Sequence, residues 1–184
     1  MTLFDLEYKS VEKYLNSYGK YIVRQAKKLL KFNTATGNLQ ASLKHKVKET
    51  KDGYELKFLA SKHAAFLNKG VSGNKVRRTY IDERGKRKAS PFRFRSKQPP
   101  SNVISDWTKI KGIRGRDRKG RFITRKSLAF LIARSIKSKG IRALSFYTQP
   151  LSWSYNEFKK EMEKAFKDDV LKGIKVMNKK MKFK

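Results

Sequence analysis

The sequence predicts a single α+β domain over residues 1–184: an antiparallel β-hairpin or small sheet flanked by helices, with long basic arms or loops. Three observations predict it. Apolar residues recur at helical period near both ends of the chain. Between them, apolar residues alternate at strand period on either side of Asp52-Gly53. Finally, 12 Phe, 8 Tyr and 2 Trp supply enough side-chain volume for one core in a chain that is otherwise strongly charged.

The first helix is read over residues 3–32, where Leu3, Leu6, Val11, Leu15, Tyr18, Ile22, Ala26 and Leu29 follow helical spacing. "TATGN" breaks the pattern at Gly37. Leu39, Ala41, Leu43, His45 and Val47 then alternate, as do Tyr54, Leu56, Phe58 and Ala60. Asp-Gly is a strong signal for a two-residue hairpin turn. A turn at Asp52-Gly53 pairs Lys51 with Tyr54 and sets Val47 opposite Phe58 and His45 opposite Ala60, which gathers the apolar side chains on one face.

"HAAFLNKG" (63–70) reads as a short helix or an irregular turn closing at Gly70. Residues 71–98 follow neither period and read as a long basic arm without its own core, with "TYIDERGKRK" a small ribbon inside it. Pro99-Pro100-Ser101 opens a helix with Val103, Ile104, Trp107 and Ile110 on one side. Residues 112–122 form a second basic loop. A helix near 124–138 carries Leu128, Leu131, Ile132 and Ile136 on a face read as core, and Gly140 closes it. "IRALSFYTQP" reads as a strand running to Pro150. Ser154 and Glu157 have capping-box spacing for a last helix with the stripe Phe158, Met162, Phe166, Val170 and Ile174. No internal repeat is found.

Charge is the outlier. Forty-seven Lys and Arg against 15 Asp and Glu leave +32. Self-repulsion of that size opposes compaction unless salt or a polyanion offsets it, so the expected partner is anionic, and phosphate backbone is the commonest such partner. Two segments concentrate the cations. The first holds Lys75, Arg77, Arg78, Arg84, Lys86, Arg87 and Lys88; the second holds Arg114, Arg116, Arg118, Lys119 and Arg121. Both are expected to contact nucleic acid or an acidic partner surface, because the planar guanidinium fork matches phosphate and the neighbouring glycines let backbone approach closely. "PFRFR" sets Phe92 and Phe94 among arginines, where aromatic rings either stack bases or pack into a neighbouring subunit. Phe92, Phe94, Phe146 and Tyr147 are the residues expected at a subunit interface.

Other chemistries find little support. The absence of cysteine excludes disulfides and thiolate metal sites. No run approaches 18 apolar residues, and "MTLFDLEYKS" lacks a basic segment followed by an apolar core, so neither a transmembrane helix nor a secretory signal is expected. His45 sits on the apolar strand face and reads as structural; His63 has no carboxylate or nucleophile nearby in sequence. Neither HExxH nor GxSxG occurs, and "GRDRKGRF" is not a phosphate-binding P-loop. Asp106, Asp117, Asp168 and Asp169 lack two-metal spacing. The sequence therefore predicts no enzyme, no cofactor and no metal.

Residues 36–70 carry a resemblance. "TGNLQASL", a hairpin and then "HAAFLNKGVSG" resemble the tail-component and head–tail joining family of tailed bacteriophages. Thr36, Gly37, Leu39 and Ser42 match that family's Thr-Gly-x-Leu element with its following Ser. Ala64 or Ala65 and Gly70 match its Tyr-Ala-x-x-Glu-x-Gly segment, with His63 in place of the aromatic and Asn68 near the place of the acid. "FYTQP" resembles the Phe-and-Pro segment leading to the last element, and the insert from 71 to 145 is similar to larger neck proteins such as those of crAss-like phages. The resemblance implies a virion protein, made in the host cytoplasm, that forms a ring of twelve or six copies between portal and tail proteins. It implies a channel through which genomic DNA passes. The alternative carried beside it is a nonspecific nucleic-acid-binding protein.

Overall fold

Helical spacing puts Val11, Leu15, Ile22, Ala26 and Leu30 on one side of the first helix, and that side is the one the fold buries. We describe residues 8–31, 36–51 and 53–182 from a computed structural model; Leu3 and Leu6 lie outside them. Helix α1 (Lys9–Leu30) lies antiparallel to the last helix, α6 (Thr148–Lys182). Tyr14 and Tyr18 of α1 pack on Phe158 of α6, and Tyr8 stacks on Phe166. The Asp169 carboxylate, almost wholly buried on α6, accepts the backbone N–H groups of Ser10 at 3.0 Å and Val11 at 2.9 Å. It thus satisfies two of the orphan donors at the start of α1 from across the helix pair.

The expected strand at 141–150 is not formed. Ile141 makes an isolated bridge to Val71, and α6 already begins at Thr148. Pro150 falls in the first turn of α6, where a missing N–H costs nothing, so it starts the helix instead of ending a strand. Ser154 and Glu157 consequently lie inside the helix and form no capping box: the Ser154 hydroxyl donates to the Pro150 carbonyl at 2.8 Å.

The hairpin is present as β1 (Lys44–Thr50) and β2 (Gly53–Leu59), but in a different register. Val47 opposes Leu56, His45 opposes Phe58 and Thr50 opposes Gly53. Gly53, at φ +132°, is the first residue of the ladder and not part of the loop, which moves each pairing two positions along the partner strand. A two-residue shift preserves the faces. His45, Val47, Leu56 and Phe58 still share one side, and that side packs on α1. A Cβ on Gly19 of α1 would sit 2.4 Å from the His45 ring, so only glycine lets the strand approach so closely.

Two buried clusters hold these elements. One joins Val11, Leu15 and Ala165 with partly buried Val47, Leu56, Phe158 and Met162. The other joins Ala26 and Leu30 of α1 with Leu39 of the short helix α2 (Asn38–Ser42), Leu43, Ala64 of α3 (Ala64–Lys69) and Phe146. Phe146, expected at a subunit interface, is completely buried in this second cluster and is not available to another chain. Its neighbour Tyr147 packs at a tilt against Phe58 and donates its hydroxyl to the Leu59 carbonyl.

The basic arm folds back on its own chain. It carries the expected ribbon as β3 (Thr79–Ile81) paired with β4 (Arg87–Ala89). Ser72 bonds the backbone on both sides of Arg93, and Phe92 packs edge-on against Phe66 at 4.6 Å. Beyond it, α4 (Ser101–Ile110) and α5 (Arg125–Lys139) pack together. The Thr124 hydroxyl caps α5 by accepting the Ser127 N–H. The pair joins the rest where Gly73 crosses the end of α5 at Gly140: a Cβ on Gly73 would meet the Ser138 carbonyl at 2.1 Å, and one on Gly140 the Val71 carbonyl at 2.1 Å.

Within the α4–α5 pair the buried residues are small: Thr108, Ala129 and Ala133. Val103, Trp107 and Ile110 of α4 are 58%, 38% and 56% exposed, and Phe130 and Leu131 of α5 are 49% and 52% exposed. The face of α5 read as core is therefore only partly so, because Leu131 points outward. No helix among the described residues is long and apolar enough to cross a membrane.

Candidate functional site

Most of the cations read from the sequence fall on two small fingers built by one local device, with Lys75, Arg77, Arg78 and Arg114 on the segments leading into them. In the first, Asp82-Glu83-Arg84-Gly85-Lys86 turns the β3–β4 ribbon; in the second, Asp117-Arg118-Lys119-Gly120-Arg121 turns a shorter loop closed by an Arg116–Phe122 bridge. The aspartate N–H donates to the carbonyl four residues on, Lys86 at 2.9 Å or Arg121 at 2.8 Å. The glycine N–H donates to the aspartate carbonyl at 3.1 Å or 3.0 Å, with φ of +78° or +82° that favours glycine. One carboxylate oxygen accepts two backbone N–H groups, from Arg84 and Lys86 in the first finger and from Lys119 and Arg121 in the second. The five-residue pattern Asp-x-[Arg/Lys]-Gly-[Lys/Arg] was visible twice in the sequence, where no repeat had been expected.

Each carboxylate also holds a cation. Lys88 pairs with the buried Asp82 at 3.0 Å, and the Arg121 Nε pairs with Asp117 at 3.0 Å. The hydrogen bond from Lys88 holds the Asp82 carboxyl below its usual range, and the backbone hydrogen bond from Arg121 does the same for Asp117. The charges of Lys88 and Arg121 are thus offset within the chain. Arg116 lies over the Phe122 ring at 4.0 Å and donates to the Gly120 carbonyl, and Arg114 lies at 6.0 Å from the same ring. Arg78 donates its Nε–H to the Lys139 carbonyl at the end of α5. The exposed cations outside these contacts are Lys75, Arg77, Arg84, Lys86 and Arg87 on the first segment and Arg118 and Lys119 on the second. The first finger is anchored beside the C-terminal end of α5 and the second at its N-terminal end, about 22 Å away for a helix of that length. The fold does not bring the two into one site.

A third cationic surface was missed by sequence reasoning. An open groove of about 620 Å³ runs between α1 and the α2–β1 segment. Lys20, Arg24, Lys27, Lys28 and Lys31 line it from α1, and Lys44 lines it from β1. Val23, Leu43, Gln40 and His45 complete the lining, which contains no carboxylate. Between Glu12 and Glu49 the chain has no acidic residue at all. The signal was present in the sequence: positions 20, 24, 27, 28 and 31 share one helical face. The apolar stripe on the other face of the same helix drew the reading away from them.

The remaining polar groups have local roles. His63 contacts Ser61 at 3.4 Å. Burial alone raises the Asp169 carboxyl, but hydrogen bonds from Ser10 and Val11 and the nearby Lys172 ammonium bring it below its usual range. Among the described residues no group of three or more His, Asp or Glu is placed to hold a metal ion. The Thr36–Ser42 segment supplies Leu39 to the core, and the Ser42 hydroxyl accepts the Ser61 N–H. Asn68, near the place of an acid in the resemblance, accepts the Tyr147 N–H at 2.9 Å through its side chain. No protein-family model, no curated protein and no solved structure matches this chain.

Proposed function

We propose that the chain is a non-enzymatic structural protein of a tailed-phage neck, a ring-forming head–tail connector component in a channel that passes DNA. The observation that carries this reading is the separation of two surfaces on different elements. The α4–α5 insert turns Val103, Trp107, Ile110, Phe130 and Leu131 outward, while the groove on α1 is lined by six cations and no carboxylate. A subunit of a closed ring needs a patch that fits a different patch on its neighbour, and a channel wall needs charge opposite to DNA. An apolar helix face left outside a folded chain supplies the first; a groove lined by cations and no carboxylate supplies the second. The segments that carry the resemblance add weight, because Leu39, Ala64 and Phe146 come from three distant stretches and meet in one cluster.

Mass photometry of the purified chain tests the ring. The expected result is one closed species of six or twelve copies, dispersed to monomers by Trp107→Ser combined with Phe130→Ser. A chain that is monomeric at every concentration and absent from particles overturns it. The cationic groove also favours a second reading, a nonspecific nucleic-acid-binding protein acting alone. That reading expects the monomer itself to shift DNA at low salt.

A further inference from the structure

We propose that the groove between α1 and the α2–β1 segment is a phosphodiester-binding site that holds nucleic-acid backbone; this rests on the nucleic-acid part of the reading above and assigns the contact to α1 instead of the two fingers. The helix itself gains little from the charge of Lys20, Arg24 and Lys28. Lys20–Arg24, Arg24–Lys28 and Lys27–Lys31 are like-charged pairs four residues apart, each unfavourable to the helix. Lys27 and Lys28 in the last turn complement the helix dipole, but Lys20 and Arg24 lie too far upstream for that. Lys44 adds a cation from the opposite wall. The fingers carry their own counter-charge in Asp82 and Asp117, and the groove lining has none.

Shape and donor chemistry select the ligand. From Lys20 to Lys31 the helix rises about 16 Å, a length over which one strand of B-DNA presents about five phosphates. Leu43, almost wholly buried, and Val23 give the groove an apolar base, which weakens screening of charges held above it. The ionic side chains of the lining are donors without acceptors. A phosphodiester brings only acceptors to them, whereas an acidic peptide also brings backbone N–H groups that need partners.

The test is the salt dependence of binding of the full chain to a short labelled DNA duplex. Lys20→Gln, Arg24→Gln and Lys28→Gln together preserve helix propensity and relieve repulsion, so the variant keeps its helical circular dichroism. Loss of three phosphate contacts lowers the magnitude of the log–log salt slope by about 2.7, and Lys44→Gln alone lowers it by about 0.9. The matched control is Lys75→Gln, Arg77→Gln and Arg84→Gln on the arm, which leaves the slope closer to that of the unaltered chain. If the arm variant flattens the slope and the groove variants do not, the groove assignment is wrong and the nucleic-acid reading stands. If the unaltered chain binds no DNA at low salt, that reading fails and takes this one with it. Binding of poly-glutamate that falls in the groove variants as steeply as DNA binding does identifies an acidic-protein site and overturns the proposal.

Discussion

The helix pair α1–α6 and the helix pair α4–α5 use apolar residues in different ways. In the first, the large apolar residues of α1 point inward: Ile22 and Leu30 are fully buried, and Phe146 closes their cluster just before α6, although α6 itself leaves Trp153, Phe166, Leu171, Ile174 and Val176 exposed. In the second, only small residues are fully buried, Thr108, Ala129 and Ala133; Ile104, Leu128, Ile132 and Ile136 are half-buried, and Val103, Ile110 and Leu131 lie in solvent. Burying a large side chain contributes about 1.5–3 kcal/mol to stability. The first pair therefore holds the chain together, and the second is assembled from short helices by caps, small-residue packing and one tight backbone crossing. The apolar surface of the insert contributes little to folding the single chain.

Truncating the core is the largest perturbation this contrast predicts. Phe146→Ala removes a fully buried ring that lies tilted against Tyr147 at 5.1 Å between centroids and packs among Ala26, Leu30 and Leu43. Loss of about 3–5 kcal/mol is expected, read as a fall in the urea midpoint without a change in slope. Next comes the joint between the two pairs. Gly140 has φ +74°, and a Cβ there would press on the Val71 carbonyl. Gly140→Ala is expected to cost about 3 kcal/mol, combining left-handed backbone strain with a clash that neither backbone can relieve. Hydrogen exchange distinguishes it from the core change: protection falls first in α4, α5 and the Gly73 segment, while the middle of α1 stays protected.

The contrast also shows what a sequence discloses. Period-2 alternation placed His45, Val47, Leu56 and Phe58 on one face of a hairpin, and the fold agrees, because faces survive a two-residue change of register. The register itself was set by whether Gly53 belongs to turn or ladder, which alternation does not encode. On α4 the stripe Val103, Trp107 and Ile110 was legible as a face, but periodicity says which residues share a face and not which way it points. A polar-looking Thr108 packs inward because its hydroxyl is satisfied by the Ser105 carbonyl within the same helix, which removes the cost of burying it. Site reading failed in a similar way. The two arginine-rich loops stood out as runs in sequence, yet part of their charge is consumed by Asp82 and Asp117. The α1 groove gathers its cations across turns and needed the helix to be wound before it appeared.

Smaller than the joint is the cap that one helix lends another. Asp169→Ala leaves the Ser10 and Val11 N–H groups without their acceptor, and a loss of about 2 kcal/mol is expected. The sign of its pH dependence follows from the depressed carboxyl. With a folded value below the unfolded one, the stabilisation is fully present above the unfolded pKa, about 3.9, and drains away as pH falls through the folded value. Denaturation curves of the parent and of Asp169→Ala should therefore differ at pH 7 and converge in acid. Curves that stay parallel down to strong acid would show that the carboxylate does not act as the cap.

The smallest effect is the most informative about the contrast. Val103 and Ile110 are more than half exposed on one side of α4, so replacing both with serine removes apolar surface that the single chain never buried. Serine and isoleucine have similar helix propensity, and valine differs little. At concentrations where the chain is monomeric, Val103→Ser with Ile110→Ser is expected to change unfolding free energy by under about 0.5 kcal/mol, the range of ordinary surface substitutions. Phe146→Ala under the same conditions sets the scale for a residue that folds the chain. If the α4 double variant costs as much as the core change, the outward face is buried in the monomer after all, and the division between a folding pair and an exposed pair is lost. If it costs nothing at low concentration but lowers stability as concentration rises, the same two side chains are buried by assembly, because only a surface covered in the oligomer makes stability depend on concentration.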